Sequence, residues 1–234
     1  MRGLGLDAAG KAGWVGVAVD DRGFVGAYLA LQAIDVVAAA EDNAGAPADV
    51  VAIDIPIGLV AAPTRSADGA ARAFVGPRSS SVFPAPHPEV LDLPDHASVN
   101  RHLVAIGMPR VSAQAFHLFA RVREIRNEPD LGGDARVIEA FPEASFCGMK
   151  GAHLVTTKKT WAGQHERRAL LAVASPPIVL PDELGLAGSV PVDDVLAAAA
   201  VAWSALRHAH GEAQRLGDPA EHDVATGREA VVWW

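Results

Sequence analysis

The sequence predicts an α/β fold built on one mixed sheet of five strands. The first thirty residues alternate in short apolar runs broken by turn residues, the pattern of an antiparallel meander. A helical segment follows, and then the nearly continuous apolar run "DVVAID" (49–54), typical of a strand covered on both faces. A strand, a helix and a further strand in one sheet imply a right-handed crossover, so strands one, four and five are expected to run parallel.

The elements can be justified in order. "RGLGLD" (2–7) reads as a short buried strand, "AAGKAG" (8–13) as a turn and "WVGVAVD" (14–20) as an alternating second strand. "DRG" (21–23) is a hairpin turn in which Gly23 takes a positive φ, and "FVGAYLAL" (24–31) is the third strand. In the helix that follows, Ile34, Val37 and Ala38 share one face, and Gly45 with Pro47 ends it. After strand four, "RSADGAARAFVG" (65–76) predicts a helix closed by Gly76, and the proline- and serine-rich stretch 77–90 predicts a loop. Two more helices follow, the second capped by Ser112. "ARVIEAF" (135–141) is the fifth strand, and "PEASFCGM" is a short helix with Pro142 in its first turn. "TWAGQHERRALLAVA" (160–174) and the alanine-rich 191–210 complete the helices, and "REAVVWW" (228–234) is expected to add a last strand. Helices on both faces make this one domain, 1–234, with a helical insertion at about 55–135.

The 234 residues and 50% hydrophobic content suffice for one sizeable core. No apolar run reaches the roughly 18 residues of a membrane span. The start lacks a signal-peptide apolar segment, and the single cysteine, Cys147, forms no intrachain disulfide, so a reducing cytoplasm is expected. A net charge of −8 argues against broad, non-specific nucleic-acid binding, though not against a local basic groove. No HExxH, Walker A or GxGxxG pattern is present.

Two carboxylates stand at strand ends. Asp7 closes strand one and Asp54 closes strand four. Neighbouring strands lie about 4.8 Å apart, so the two would meet at one sheet end, where like charges repel unless a proton or a cation intervenes. An all-oxygen site of this kind suits Mg²⁺ or Mn²⁺. The first turn of the long helix carries Asp193, read as an N-cap, and Asp194, which shares a face with Ala197, Ala198 and Val201 and points at the pair.

The segments "GLGLDAAGKAGWVGVAV", "VVAIDIPIGL", "PRSSSVFPAP", "VIEAFPEASF", "TTKKTWAGQHERRALL" and "VDDVLAAAAVAW" carry a resemblance over nearly the whole chain. The sequence resembles the ribonuclease H-like fold and, within it, the domain-of-unknown-function family 429, described as predicted nucleases. The resemblance implies a divalent-metal-dependent phosphodiesterase in which Asp7, Asp54 and Asp194 match the acidic residues of junction resolvases of that fold. Those enzymes often carry another aspartate one turn further along the last helix. Here that position is Ala197, so a second ion would need Glu139 or Glu143 as its ligand, and either could also serve as general base.

Arg78 with Ser79, Ser80 and Ser81, in the serine-rich loop, together with Lys158 and Lys159 are the expected phosphate partners, on a nucleic acid or a small phosphoester. Arg121, Arg123 and Arg126 with Glu124 and Glu128 read as an exposed helix face. Two rival readings remain: a non-catalytic nucleic-acid or ligand-binding module, and an actin-like ATP-dependent enzyme, which would need a second phosphate-binding turn.

Overall fold

The computed structural model describes residues 1–234. Strands β1 (Arg2–Ala8), β2 (Trp14–Asp20), β3 (Gly23–Ala30), β4 (Val50–Ile53) and β5 (Val137–Glu139) form one sheet in the order β3-β2-β1-β4-β5. β1–β2 and β2–β3 are antiparallel, and β1–β4 and β4–β5 are parallel. This is the mixed sheet expected from the sequence, and it is compatible with a ribonuclease H-like arrangement. Eight helices surround it: α1 (Ala33–Ala44), α2 (Ser66–Val75), α3 (His96–Ala105), α4 (Ala113–Asn127), α5 (Pro129–Gly132), α6 (Pro142–Lys150), α7 (Trp161–Ala172) and α8 (Val192–Ala209). Helices α2 to α5 fall between β4 and β5. No helix is long and apolar enough to cross a membrane.

Strand alternation sorts the core into two layers. Leu4, Leu6, Val51, Ile53 and Val137 face the side covered by α1, α3 and α4. Val15, Val17 and Val19 pack with α6 and α8 on the other side, as Val50, Ala52 and Ile138 do with Val201 and Ala205. The glycines of β1 alternate with its leucines and so face α8. A Cβ on Gly3 would lie 2.6 Å from Ala202 O and Leu206 N, and one on Gly5 would collide with Ala198 O and Ala202 N. The helix backbone therefore rests directly on the strand backbone. Thirteen of the eighteen residues of α8 are buried, four of them in the run Ala197–Ala200. Only a helix with methyl-sized side chains can approach a sheet so closely.

Several expectations change in detail. The buried face of α1 is Ala33, Val36, Val37 and Ala40, and Ala38 is exposed. The stretch 77–90 is not all loop: tight 3-10 turns form over Gly76–Ser81 and Pro88–Val90. The tail does not extend the main sheet as a full strand. β7 (Val232–Trp233) pairs with β6 (Arg215–Leu216) and meets the main sheet through one parallel bridge, Ala140 to Trp233. The charged face of α4 is engaged with the protein. Glu124 Oε1 accepts from Trp14 Nε1 (2.8 Å) and Ala33 N (2.9 Å), Arg121 Nη2 donates to Gly10 O, and Arg126 Nη1 donates to Ile57 O. That face satisfies open backbone groups around α1 and the β4 loop, which charge periodicity alone does not reveal.

The close helix–strand contact makes a sharp prediction. Gly5→Ala should destabilise the fold by about 1–3 kcal/mol or more, because the atoms that must move are backbone. Gly69→Ala, in α2 with nothing within 4 Å of its added methyl, should stabilise it by about 0.5–1 kcal/mol. Denaturant unfolding of both variants checks the contrast.

Candidate active site

The parallel register places the site. Leu6 pairs with Ile53, and Asp54 N donates to Leu6 O at 3.0 Å, so the next residues, Asp7 and Asp54, stand side by side at the carboxyl end of the sheet. Asp7 follows Gly3 and Gly5 on the α8 face of β1, and Asp54 follows Val50 and Ala52 on the same face of β4. Their carboxyl groups are near enough for each to shift the other's titration. Asp7 is buried and Asp54 half-buried. Burial, reinforced by the neighbouring Asp54, pushes the Asp7 carboxyl well above the usual aspartate range. Burial likewise raises Asp54 to about 7 against the attraction of Lys158. The pair at neutral pH holds on to a proton, or takes a cation in its place.

Helix α8 runs opposite to β1, which brings its first turn to the same end of the sheet. Asp194 is half-buried there and raised by burial and by the adjacent Asp193, with Lys158 and Lys159 opposing. Asp193 is not the N-cap. That position is Pro191, without a side-chain cap bond, and Asp193 lies inside the helix, buried, with Lys159 Nζ 2.7 Å from its Oδ2 and Lys158 Nζ at 3.6 Å. No three histidine, cysteine, aspartate or glutamate side chains converge closely enough to enclose one ion. Asp7 and Asp54 adjoin directly, and Asp194 lines the same cleft, near enough for its charge to act on Asp7.

That cleft has a volume of about 620 Å³. Of the expected phosphate partners, Arg78, Ser80, Ser81, Lys158 and Lys159 line it and Ser79 does not. Lys158 is half-buried, and although burial would lower its pKa, the carboxylates of Asp7, Asp54, Asp193 and Asp194 outweigh this and raise it. One ammonium thus serves four aspartates.

The two glutamates expected to supplement the site have other partners. Glu139 is paired in register with Ile53, on the sheet face opposite the aspartates. Arg65 grips it in a fork, Nη1 to Oε2 at 2.7 Å and Nη2 to Oε1 at 2.6 Å, and also binds Asp68 Oδ1. Glu139 Oε2 accepts from Ile57 N at 2.9 Å, which pins the chain as it leaves Asp54. Leu59 N is held by Asp223 Oδ2 at 2.7 Å, and Asp223 is paired with Arg126. Glu143 is bound by the buried Arg167, whose Nη2 donates to both carboxylate oxygens (2.8 and 2.7 Å) and whose Nε donates to Oε1 at 3.2 Å. Both glutamates are ion-paired, yet both line the cleft, and their charge adds to what raises Asp54. Ala197 is buried and does not line the cleft.

Sequence reasoning missed Arg65, Asp68, Arg167 and Asp223. The Arg65–Asp68 spacing is visible in "RSAD" but looks like an ordinary exposed helix pair. Nothing local announces that Arg167 or Asp223 reaches a partner distant in the chain.

A family model described as "Protein of unknown function (DUF429)" matches residues 5–222. No curated protein matches the chain, and no solved structure does.

Two outcomes follow from these charges. Asp54 has a raised folded-state pKa, so the folded state binds a proton that the unfolded chain has lost, between pH about 4 and about 7. Stability contributed by this group is lost as pH rises through that window. In chelator, thermal melts should show Asp54→Asn losing less stability than the wild type between pH 5 and pH 8. Removing the buried cation of the neighbouring network has the opposite character. Arg65→Ala strands Glu139 and Asp68 and should cost about 3–5 kcal/mol in denaturant unfolding. Adding Glu139→Gln to Arg65→Ala should recover part of that loss.

Proposed function

Because the chain belongs to the DUF429 family, whose description assigns no activity, we propose from the site itself that it is a divalent-cation-dependent phosphodiesterase, most plainly a nuclease. The observation that carries this reading is the Asp7–Asp54 pair, two carboxyl groups side by side at the end of parallel strands, facing a cleft with unsatisfied positive charge. Ligand sites in open α/β sheets lie at this end. The donor set fits Mg²⁺ or Mn²⁺, being all oxygen, with no sulfur or imidazole among the aspartates. Asp7 and Asp54 would hold the ion, which when bound would polarise a scissile phosphate and lower the pKa of water.

The chain's own residues account for the remaining needs of hydrolysis. Arg78 and Lys158 place positive charge where a phosphate would gain negative charge in the transition state. Asp194, half-buried in the same cleft, would suit a base that takes a proton from the attacking water as its oxygen bonds to phosphorus and the leaving oxygen departs, protonated from solvent. The N-terminus of α8 adds the positive end of its dipole to the same spot. Glu139 holds the loop that follows Asp54, and its carboxylate adds to the negative charge at the cleft.

A second reading, a binding module without turnover, is favoured by one observation: no third ligand group stands with Asp7 and Asp54. Metal and activity separate the two. Mn²⁺ should raise the melting temperature of the wild type but not of Asp54→Asn. Mn²⁺-dependent cleavage of labelled single-stranded, duplex and branched nucleic acids and of a bis-aryl phosphate diester should fall at least about a hundredfold in Asp7→Asn. A metal shift without any cleavage would establish the binding module instead.

A further inference from the structure

The cleft wall carries an aromatic ring that the core does not use. Phe83 lines the cleft and is 36% exposed, while the buried clusters are filled by other residues. Its backbone is fixed from behind. Arg72 Nη2 donates to Val82 O at 3.0 Å, and Ala85 N donates to Asp68 Oδ2 at 2.9 Å. Asp68 is itself held by the buried Arg65. Pro84 and Pro86 stiffen the same segment. An apolar ring exposed on a braced loop is a platform set in place before any ligand arrives.

Arg78, in the tight turn Gly76–Ser81 just before Phe83 in the chain, lines the same cleft. Of the two arginines in the cleft, Arg65 is consumed by Glu139 and Asp68, whereas Arg78 makes no ion pair. On the α4 side the exposed Gln114 lines the cleft with an amide that offers both a donor and an acceptor. A flat apolar ring, a free guanidinium and an amide together match a nucleobase and its phosphate.

We infer that the cleft takes an unpaired nucleotide, its base stacked on Phe83, its phosphate on Arg78 and its edge within reach of Gln114. The inference deepens the phosphodiesterase reading and rests on it for what then happens to the phosphate. The size agrees: about 620 Å³ is the scale of a small-molecule pocket, far short of a duplex. In a duplex the base faces are hidden in the stack, so a ring inside a cleft meets them only when the base is free. The net charge of −8 likewise denies the chain the broad basic surface that tracks duplex phosphates.

Binding tests this apart from turnover. With Ca²⁺ in place of Mn²⁺ and a dye-labelled single strand of about eight nucleotides, fluorescence anisotropy should show the strand bound at least about tenfold tighter than the matching duplex, and than an abasic strand of the same length. Phe83→Ala should weaken binding of the base-bearing strand by roughly 5- to 150-fold and leave the abasic strand unchanged, while Phe83→Trp should retain binding. Arg78→Ala should weaken both strands. Displacement of the strand by an equal concentration of mononucleotide would identify a free nucleotide as the occupant; resistance to displacement would identify the strand. Duplex binding as tight as single-strand binding, or equal binding of abasic and base-bearing strands by the unmutated protein, would overturn the inference. Asp7-dependent hydrolysis of the bis-aryl phosphate diester would still leave the phosphodiesterase reading standing.

Discussion

The backbone of α8 rests on the backbone of β1 because Gly3 and Gly5 present no side chains and Ala198 and Ala202 present almost none. Much of the architecture depends on that contact. Since α8 runs opposite to β1, seating it on the two glycines carries its first turn, with Asp193 and Asp194, to the end of the sheet where Asp7 and Asp54 emerge. A bulkier pair of surfaces would hold the helix several ångströms further out, at the 10 Å spacing of ordinary packed layers, and the cleft would lose its floor. The same small residues that bury little apolar area individually thus set the geometry of the charged groups. The lost area is made up on the outer side of α8, where α6 and α7 cover it and Ser145 meets Ser204 at 2.8 Å.

Two of the strand ends show how far sequence alone can reach. Asp7 and Asp54 were legible because strand period and parallel pairing are local consequences of apolar pattern and crossover handedness. The helices were legible for similar reasons: Ser112 caps α4, Thr160 caps α7, and Gly45 and Gly76 close α1 and α2 with positive φ. What could not be read was which charged residue meets which. Glu139 sits at the right end of β5, yet one residue of strand period turns it to the far face, and that depends on where a three-residue strand begins. Asp194 has the expected phase, one turn before Ala198 and lining the cleft, whereas Asp193 lies inside the helix because the cap is Pro191, two residues earlier. Arg65 and Arg167 are invisible for a plainer reason: a buried arginine is identified by its partner, and the partners are 74 and 24 residues away.

The loop after Asp54 joins these two levels. "IPIGL" has the composition of a turn, and in isolation Asp54 could be no more than a turn former. In the fold its backbone amides are spoken for by other carboxylates. Glu139 takes Ile57 N, and Asp223 takes Leu59 N. Asp54 is therefore released from the local hydrogen bonding that an aspartate in a turn usually supplies, and its side chain is left for the cleft.

The acidic groups around the cleft separate into two sets by what neutralises them. Glu139, Glu143 and Asp193 each have a cation in direct contact: Arg65, Arg167 and Lys159. Asp7, Asp54 and Asp194 have no such partner and share the field of Lys158 with Asp193. Burying an unpaired carboxylate is costly, and a chain selected for stability alone would pair or replace it, as it has done for the first set. The second set keeps its like-charge strain at one sheet end, within one cleft, beside an arginine that has no carboxylate of its own. Like-charge strain is thus confined to a single concave site while the acidic groups around it are neutralised, the pattern by which perturbed carboxyl groups mark candidate functional sites.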